Sequence, residues 1–275
     1  MSDGTPASAG AAPGIGVFDS GIGGLTVFQA LRRTLPPGER LLYLGDTARV
    51  PYGTRSDETV VRYAREGARF LSGHGIKALV VACNTMSAVA LPALREEMPI
   101  PVVGVIGPGA EEACRVTRRR VIGVIGTAAT VRSGAYEHAI ASHLPDARVI
   151  SRACPLFVPL AEEGWVDNEV ARAAASAYLS DLRDTGIDTL VLGCTHYPLL
   201  KEVIGRTVGP GVALVDSAEA TAAVVLGRLR ERGLLREGGA EGVDHFFVTD
   251  SSERFREVGS RFLGRPLERL EQVAL

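Results

Sequence analysis

From Ile15 onward the chain alternates short apolar, β-branched runs with longer segments in which apolar residues recur every three to four positions. This is the pattern of strands alternating with helices, and therefore of a parallel sheet. Strands are predicted at 14–18, 40–45, 77–82 and 102–106, with helices at about 24–35, 56–72 and 85–97. The scheme then restarts, with strands near 120–125, 147–151, 188–193 and 212–215 and helices near 130–144, 167–184 and 198–206. Beyond Asp216-Ser217 a helix to about Gly233, a Gly-rich turn, a strand at 244–248 and a helix at 251–263 are expected to pack back on the first half.

The restart is an internal repeat. Leu79-Val80-Val81-Ala82-Cys83-Asn84-Thr85 is an apolar run that ends in a thiol and two small polar residues, and it returns 111 positions later as Leu190-Val191-Leu192-Gly193-Cys194-Thr195-His196. The openings repeat as well: Ile15-Gly16-Val17-Phe18-Asp19-Ser20 and Val121-Ile122-Gly123-Val124-Ile125-Gly126-Thr127 both run from a strand into a Gly-rich or Thr-rich loop. Each thiol follows the third strand of its half, at the carboxyl edge where open α/β sheets bind ligands. A helix N-terminus at that edge is expected to lower a thiol's pKa from about 8.5. The fold class that follows is α/β, in two pseudosymmetric lobes, each a mainly parallel sheet flanked by helices, with the site between them. The boundaries place residues 14–107 plus 217–275 in the lobe carrying Cys83 and 108–216 in the lobe carrying Cys194.

Composition narrows the classes. The 275 residues, 46% of them hydrophobic, suffice for a substantial core, and the net charge of −2 offers no basic field for nucleic acid or an anionic membrane. Residues 1–13, MSDGTPASAGAAP, are small and polar and read as a disordered tail. No run approaches the roughly 18 apolar residues of a membrane span, and four widely spaced cysteines, Cys83, Cys114, Cys154 and Cys194, suggest a reducing cytoplasm.

Among the candidate chemical groups, Cys114 on a helical segment and Cys154 before Pro155 read as packing residues. Asp19-Ser20-Gly21-Ile22-Gly23-Gly24 opens a helix but lacks the spacing of a nucleotide fingerprint, so a tight turn aiming Asp19 at the cleft fits better, with helix capping as the alternative. Gly45 to Gly53 reads as a rigid loop that either offers backbone N–H groups to a ligand or is a surface turn. His196, beside Cys194, is placed to tune that thiol; His74, His138, His143 and His245 receive no role. Without a Cys-x-x-Cys or a second clustered ligand, no metal is expected. Of the two lysines, Lys77 at a strand start and Lys201 in a helix, neither is placed to hold pyridoxal phosphate, so no cofactor is expected.

Asp19-Ser20-Gly21, Gly45-Asp46 with Pro51-Tyr52-Gly53, Cys83-Asn84-Thr85, Cys154-Pro155-Leu156-Phe157-Val158-Pro159 and Leu192 through Pro198 together resemble the bacterial glutamate racemase family of the aspartate/glutamate racemase superfamily, over about Gly14 to Ser217. The resemblance implies two lobes enclosing glutamate, whose α-proton two cysteines exchange without cofactor or metal, in the service of peptidoglycan synthesis. It implies Cys83 and Cys194 as the acid/base pair, Cys194 acting on L-glutamate and Cys83 on D-glutamate. It makes Asp19 and His196 their polar partners, with Asp19, Ser20, Tyr52, Gly53, Asn84, Thr85, Thr195 and His196 at the substrate. It allows a homodimer. Met86 departs from the family's usual Ala, with a pocket wall or hinge as the place where this would be felt. Relatives that act on aspartate, hydantoins or maleate, and members that bind DNA gyrase, are the alternatives within the resemblance.

Overall fold

The computed structural model describes residues 12–236, 238 and 240–275, so residues 1–11 of the expected tail, and Glu237 and Gly239 of the Gly-rich turn, lie outside the described residues. The first half runs β1 (Gly14–Asp19), α1 (Leu25–Thr34), β2 (Leu41–Gly45), α2 (Asp57–Gly73), β3 (Ile76–Val81), α3 (Asn84–Val89), α4 (Leu91–Glu97) and β4 (Val102–Gly104). After α5 (Ile106–Val116) come β5 (Val121–Gly126), α6 (Ala128–Arg132), α7 (Ala135–His143), β6 (Arg148–Ala153), α8 (Phe157–Glu162), α9 (Glu169–Leu179), β7 (Thr189–Gly193), α10 (Lys201–Val208) and β8 (Ala213–Asp216). The chain closes with α11 (Ser217–Glu231), β9 (His245–Val248), α12 (Ser252–Leu263) and β10 (Leu270–Gln272).

Two sheets form, ordered β10-β9-β2-β1-β3-β4 and β6-β5-β7-β8, and every described strand pair is parallel. The orders β2-β1-β3-β4 and β6-β5-β7-β8 are one order written twice, so the repeat in the sequence is a repeat in topology. Strands β1, β2 and β7 are buried along their whole length, because helices cover both faces, and they are apolar apart from Asp19, Tyr43 and Thr189. In each half the switch in strand order brings the carboxyl ends of the first and third strands side by side. That places Asp19 next to Cys83, and Thr127 next to Cys194.

The C-terminal strands extend the first sheet, β9 pairing with β2 and β10 with β9. An aromatic cluster holds them there: Phe246 of β9 lies 4.9 Å from Phe28 of α1 and 6.2 Å from Tyr43 of β2, and Phe255 of α12 lies 5.9 Å from Tyr43. Burying each such ring contributes about 1.5–3 kcal/mol. Helix α11 packs on both α1 and α5, so it stands between the halves rather than on the first alone.

Several expected helices are broken. The helix predicted at 85–97 stops at Ala90 and restarts with Pro92 in the first turn of α4, where a missing N–H costs nothing. The helix predicted at 130–144 breaks at Gly134, which turns the chain with φ +63°. The segment at 167–184 tightens into a 3-10 turn after Leu179, and 198–206 begins as a 3-10 turn, which puts Lys201 at the start of α10 rather than inside it. Helices α5 and α8 and strand β10 had no predicted counterpart, although Cys114 does lie on a helix. Among the described residues no helix is long and apolar enough to cross a membrane.

Candidate active site

Both thiols open into one cavity of about 340 Å³ between the halves, lined by Ser20, Tyr52, Gly53, Cys83, Asn84 and Thr85 from one side and Thr127, Glu162, Cys194, Thr195 and His196 from the other. The halves interlock here. Thr26 Oγ1 lies 3.0 Å from the carbonyl oxygens of both Gly23 and Thr195, and a Cβ on Gly23 would collide with Thr195 Oγ1, so glycine is what lets the two turns approach.

Cys83 follows β3 and caps α3 by its backbone, with no side-chain cap. The expectation that a helix N-terminus lowers its pKa is overturned: burial pushes the thiol up to about 12, the Asp19 carboxylate adds to this, and hydrogen bonds from Ser20 and the Met86 amide offset only part of it. A short helix of six residues cannot outweigh the loss of water around Sγ. The Cys83 thiol therefore keeps its proton at neutral pH.

The environment of Cys194 is unlike this. His196 Nδ1 lies 3.8 Å from Cys194 Sγ, and its Nε2 lies 3.0 Å from Glu162 Oε1. Burial alone would lower the imidazole's pKa, but Cys194 and Glu162 prevail and raise it to about 10. The same contact holds the Glu162 carboxyl below its usual range. At neutral pH the His196 ring therefore carries its proton beside Cys194 Sγ. Phe262 of α12 meets the His196 ring edge-on at 5.5 Å and limits its movement.

Asp19, 1% exposed, stands behind the cavity wall rather than on it. Its Oδ2 accepts the Gly21 N–H at 2.9 Å, and its Oδ1 has no hydrogen-bond partner. Burial raises its pKa, while the His196 charge and the amides of Gly21, Gly24 and Ser20 pull it down, so the carboxylate is coupled to both thiol environments. Tyr52 lines the cavity with its ring and backbone, because its hydroxyl donates to buried Asp46, which Arg49 Nε (2.6 Å) and Thr249 Oγ1 (2.9 Å) also contact. Thr85 Oγ1 lies 3.3 Å from Thr127 Oγ1 and 3.4 Å from Thr130 Oγ1, a cluster of hydroxyls drawn from both halves. No lysine or arginine is among the described residues that line the cavity, so an anionic ligand would meet neutral donors and the His196 imidazolium, with the Glu162 carboxylate paired to that imidazolium on the same wall.

Cys154 is fully buried outside the cavity and its thiol is pushed up to about 12 by burial, while Cys114 is half-buried with Sγ 3.8 Å from the Ile140 carbonyl. Among the described residues no cluster of three or more His, Cys, Asp or Glu side chains is arranged to hold a metal ion. Sequence reasoning passed over Glu162, Thr127 and Tyr136. Thr127 was legible as the counterpart of Ser20 in the repeated opening; Glu162 had only the weak signal of an acid ending an apolar helix.

The raised values predict a pH dependence of stability. His196 binds its proton more tightly folded than unfolded, so its contribution is complete below about pH 6.5 and declines as the pH rises toward about 10. Cys83 and Cys154, raised to about 12, work in the same direction above about pH 9, because unfolding lets them ionise. Thermal unfolding followed by circular dichroism should show a falling midpoint from pH 7 to 10, with a smaller fall for His196→Asn. An equal fall in the variant would show that His196 is not the group responsible.

Two α/β halves that meet at one cavity, with a thiol opening into it from each, define the architecture by which the chain can be compared with known enzymes. The family description Asp/Glu/Hydantoin racemase matches residues 15–225. The chain is 59% identical over 261 residues to a glutamate racemase of Geobacter metallireducens, covering 95% of this chain and 96% of that one. Among solved structures, a glutamate racemase isoform of Bacillus anthracis superposes with a TM-score of 0.92 at 41% identity, covering 96% of this chain and 98% of that one. The Francisella tularensis glutamate racemase in complex with D-glutamate superposes with a TM-score of 0.89 at 40% identity, covering 95% and 97%. The chain belongs to the Asp/Glu/hydantoin racemase family and, within it, stands among the bacterial glutamate racemases. It is an amino-acid racemase, an isomerase.

Proposed function

We propose that this protein interconverts L- and D-glutamate in the cytoplasm by two-base proton transfer at Cα, without cofactor or metal, and so supplies D-glutamate for peptidoglycan. The observation that carries the reading is a pair of thiols on opposite walls of one cavity in unlike electrostatic settings. Inversion requires a base on one face of Cα and an acid on the other, in opposite protonation states at the start. Cys83, raised by burial and Asp19, enters as the acid. Cys194, beside the His196 imidazolium, enters as the base and takes the α-proton of L-glutamate; Cys83 delivers its proton to the opposite face, and the Cα–H bond re-forms inverted. From D-glutamate the roles reverse. Asn84, Thr85 and Thr195, with the backbone of Ser20 and Gly53, hold the carboxylates. The two lobes of this reading are residues 14–107 with 217–275, and 108–216.

A chiral assay tests the reading. Purified protein, chelated and dialysed extensively, should racemise either enantiomer of glutamate to a 1:1 mixture. Activity that disappears and returns only with a metal or pyridoxal phosphate would sink the cofactor-free mechanism, and faster turnover of aspartate would sink the substrate.

A further inference from the structure

Tyr136 belongs to no motif, yet it touches both thiol-bearing turns. It lies on α7 in the second half, 1% exposed. Its hydroxyl donates across the boundary to Asn84 Oδ1 at 2.7 Å, one residue past Cys83. Its ring lies against Gly193, one residue before Cys194, where an added Cβ would stand 2.9 Å from Tyr136 Cε2 and 2.7 Å from the Ile125 carbonyl. Burial pushes the phenol's pKa up, so the hydroxyl keeps its proton. Asn84 is 3% exposed and lines the cavity; its Oδ1 is taken by the tyrosine, and its buried Nδ2 has no hydrogen-bond partner. A buried amide donor left unpaired is costly, and a carboxylate in the cavity is the group that would satisfy it.

We infer that Tyr136 is a positioning residue for racemisation: its hydroxyl fixes the Asn84 amide so that Nδ2 donates to a substrate carboxylate, and its ring on Gly193 sets the separation of the two thiol turns. The inference rests on the glutamate-racemising reading and adds a residue to it. Because the oxygen and the ring do different work, they separate by mutation. Tyr136→Phe removes the hydroxyl and leaves the ring in place.

Tyr136→Phe should raise KM for both enantiomers about tenfold, the cost of one well-made hydrogen bond, while kcat stays within about threefold of wild type. Asn84→Ala should raise KM at least as much, and the double variant should be no worse than Asn84→Ala, because the tyrosine acts through the asparagine. A purely structural tyrosine would instead lower the unfolding midpoint with KM unchanged, and its effect would add to that of Asn84→Ala; either result overturns the inference. If Tyr136→Phe does not fold, Asn84→Ala decides, since it removes the amide through which the tyrosine acts without adding charge: KM should rise, and an unchanged KM overturns the inference. A wild-type protein inactive on glutamate would be a failure of the reaction itself; an active one with unaltered KM in the variants would be a failure of this inference alone.

Discussion

Cys83→Ala and Cys194→Ala are each expected to lower racemisation in both directions by about four orders of magnitude, the upper range for a single general acid or base. Both directions suffer because, in the mechanism proposed above, every inversion uses both thiols, one as base and one as acid. The surviving thiol leaves a signature. In D2O, Cys83→Ala keeps the base for L-glutamate, so slow exchange of its α-proton without inversion should persist, and Cys194→Ala should show the same with D-glutamate. Circular dichroism of the amino acid reports inversion, and mass spectrometry reports exchange. Turnover near wild type in either variant would remove that thiol from the mechanism. Cys154→Ala and Cys114→Ala should act on stability instead, since neither thiol lines the cavity and the first is fully buried.

His196→Asn should reduce kcat/KM about a hundredfold by removing the cation beside Cys194 Sγ. Glu162→Gln should cost about tenfold, since Glu162 acts only through His196 Nε2. A thermodynamic constraint shapes the test: L- and D-glutamate have equal free energies in water, so kcat/KM must stay equal in the two directions for every variant. What can become directional is the isotope effect on whichever proton transfer has slowed. With Cys194 acting on L-glutamate, His196→Asn should raise the primary deuterium effect chiefly with [2-²H]-L-glutamate, and Asp19→Asn chiefly with the D-enantiomer. Equal changes in both would break the pairing of one partner to each thiol. Asp19 puts that pairing under the severer test, because its carboxylate is coupled to His196 as well as to Cys83.

Much of the architecture was legible because strands buried on both faces must be apolar throughout, and a repeated unit repeats that signature. The runs ending at Cys83 and Cys194 marked strand ends from composition alone, and the strand-helix alternation led to parallel sheets. Helix continuity was not legible in the same way. Ala90 and Gly134 break helices where the chain must turn to keep its apolar face on the sheet, and local propensity carries only a weak record of that demand.

What the sequence determined by itself was the list of reactive groups and the edge on which each would stand: Cys83 and Asp19 at one, Cys194 and His196 at the other. What the tertiary structure decided was their electrostatic character. A helix N-terminus promised a lowered thiol at Cys83, and burial with a neighbouring carboxylate raised it instead, because desolvation depends on everything that excludes water and not on the residues adjacent in the chain. Glu162 behind His196, and Tyr136 bridging Asn84 and Gly193, belong to the same category: their partners lie 34, 52 and 57 positions away in sequence, the first and third brought into contact by packing within residues 108–216 and the second by the meeting of the two lobes.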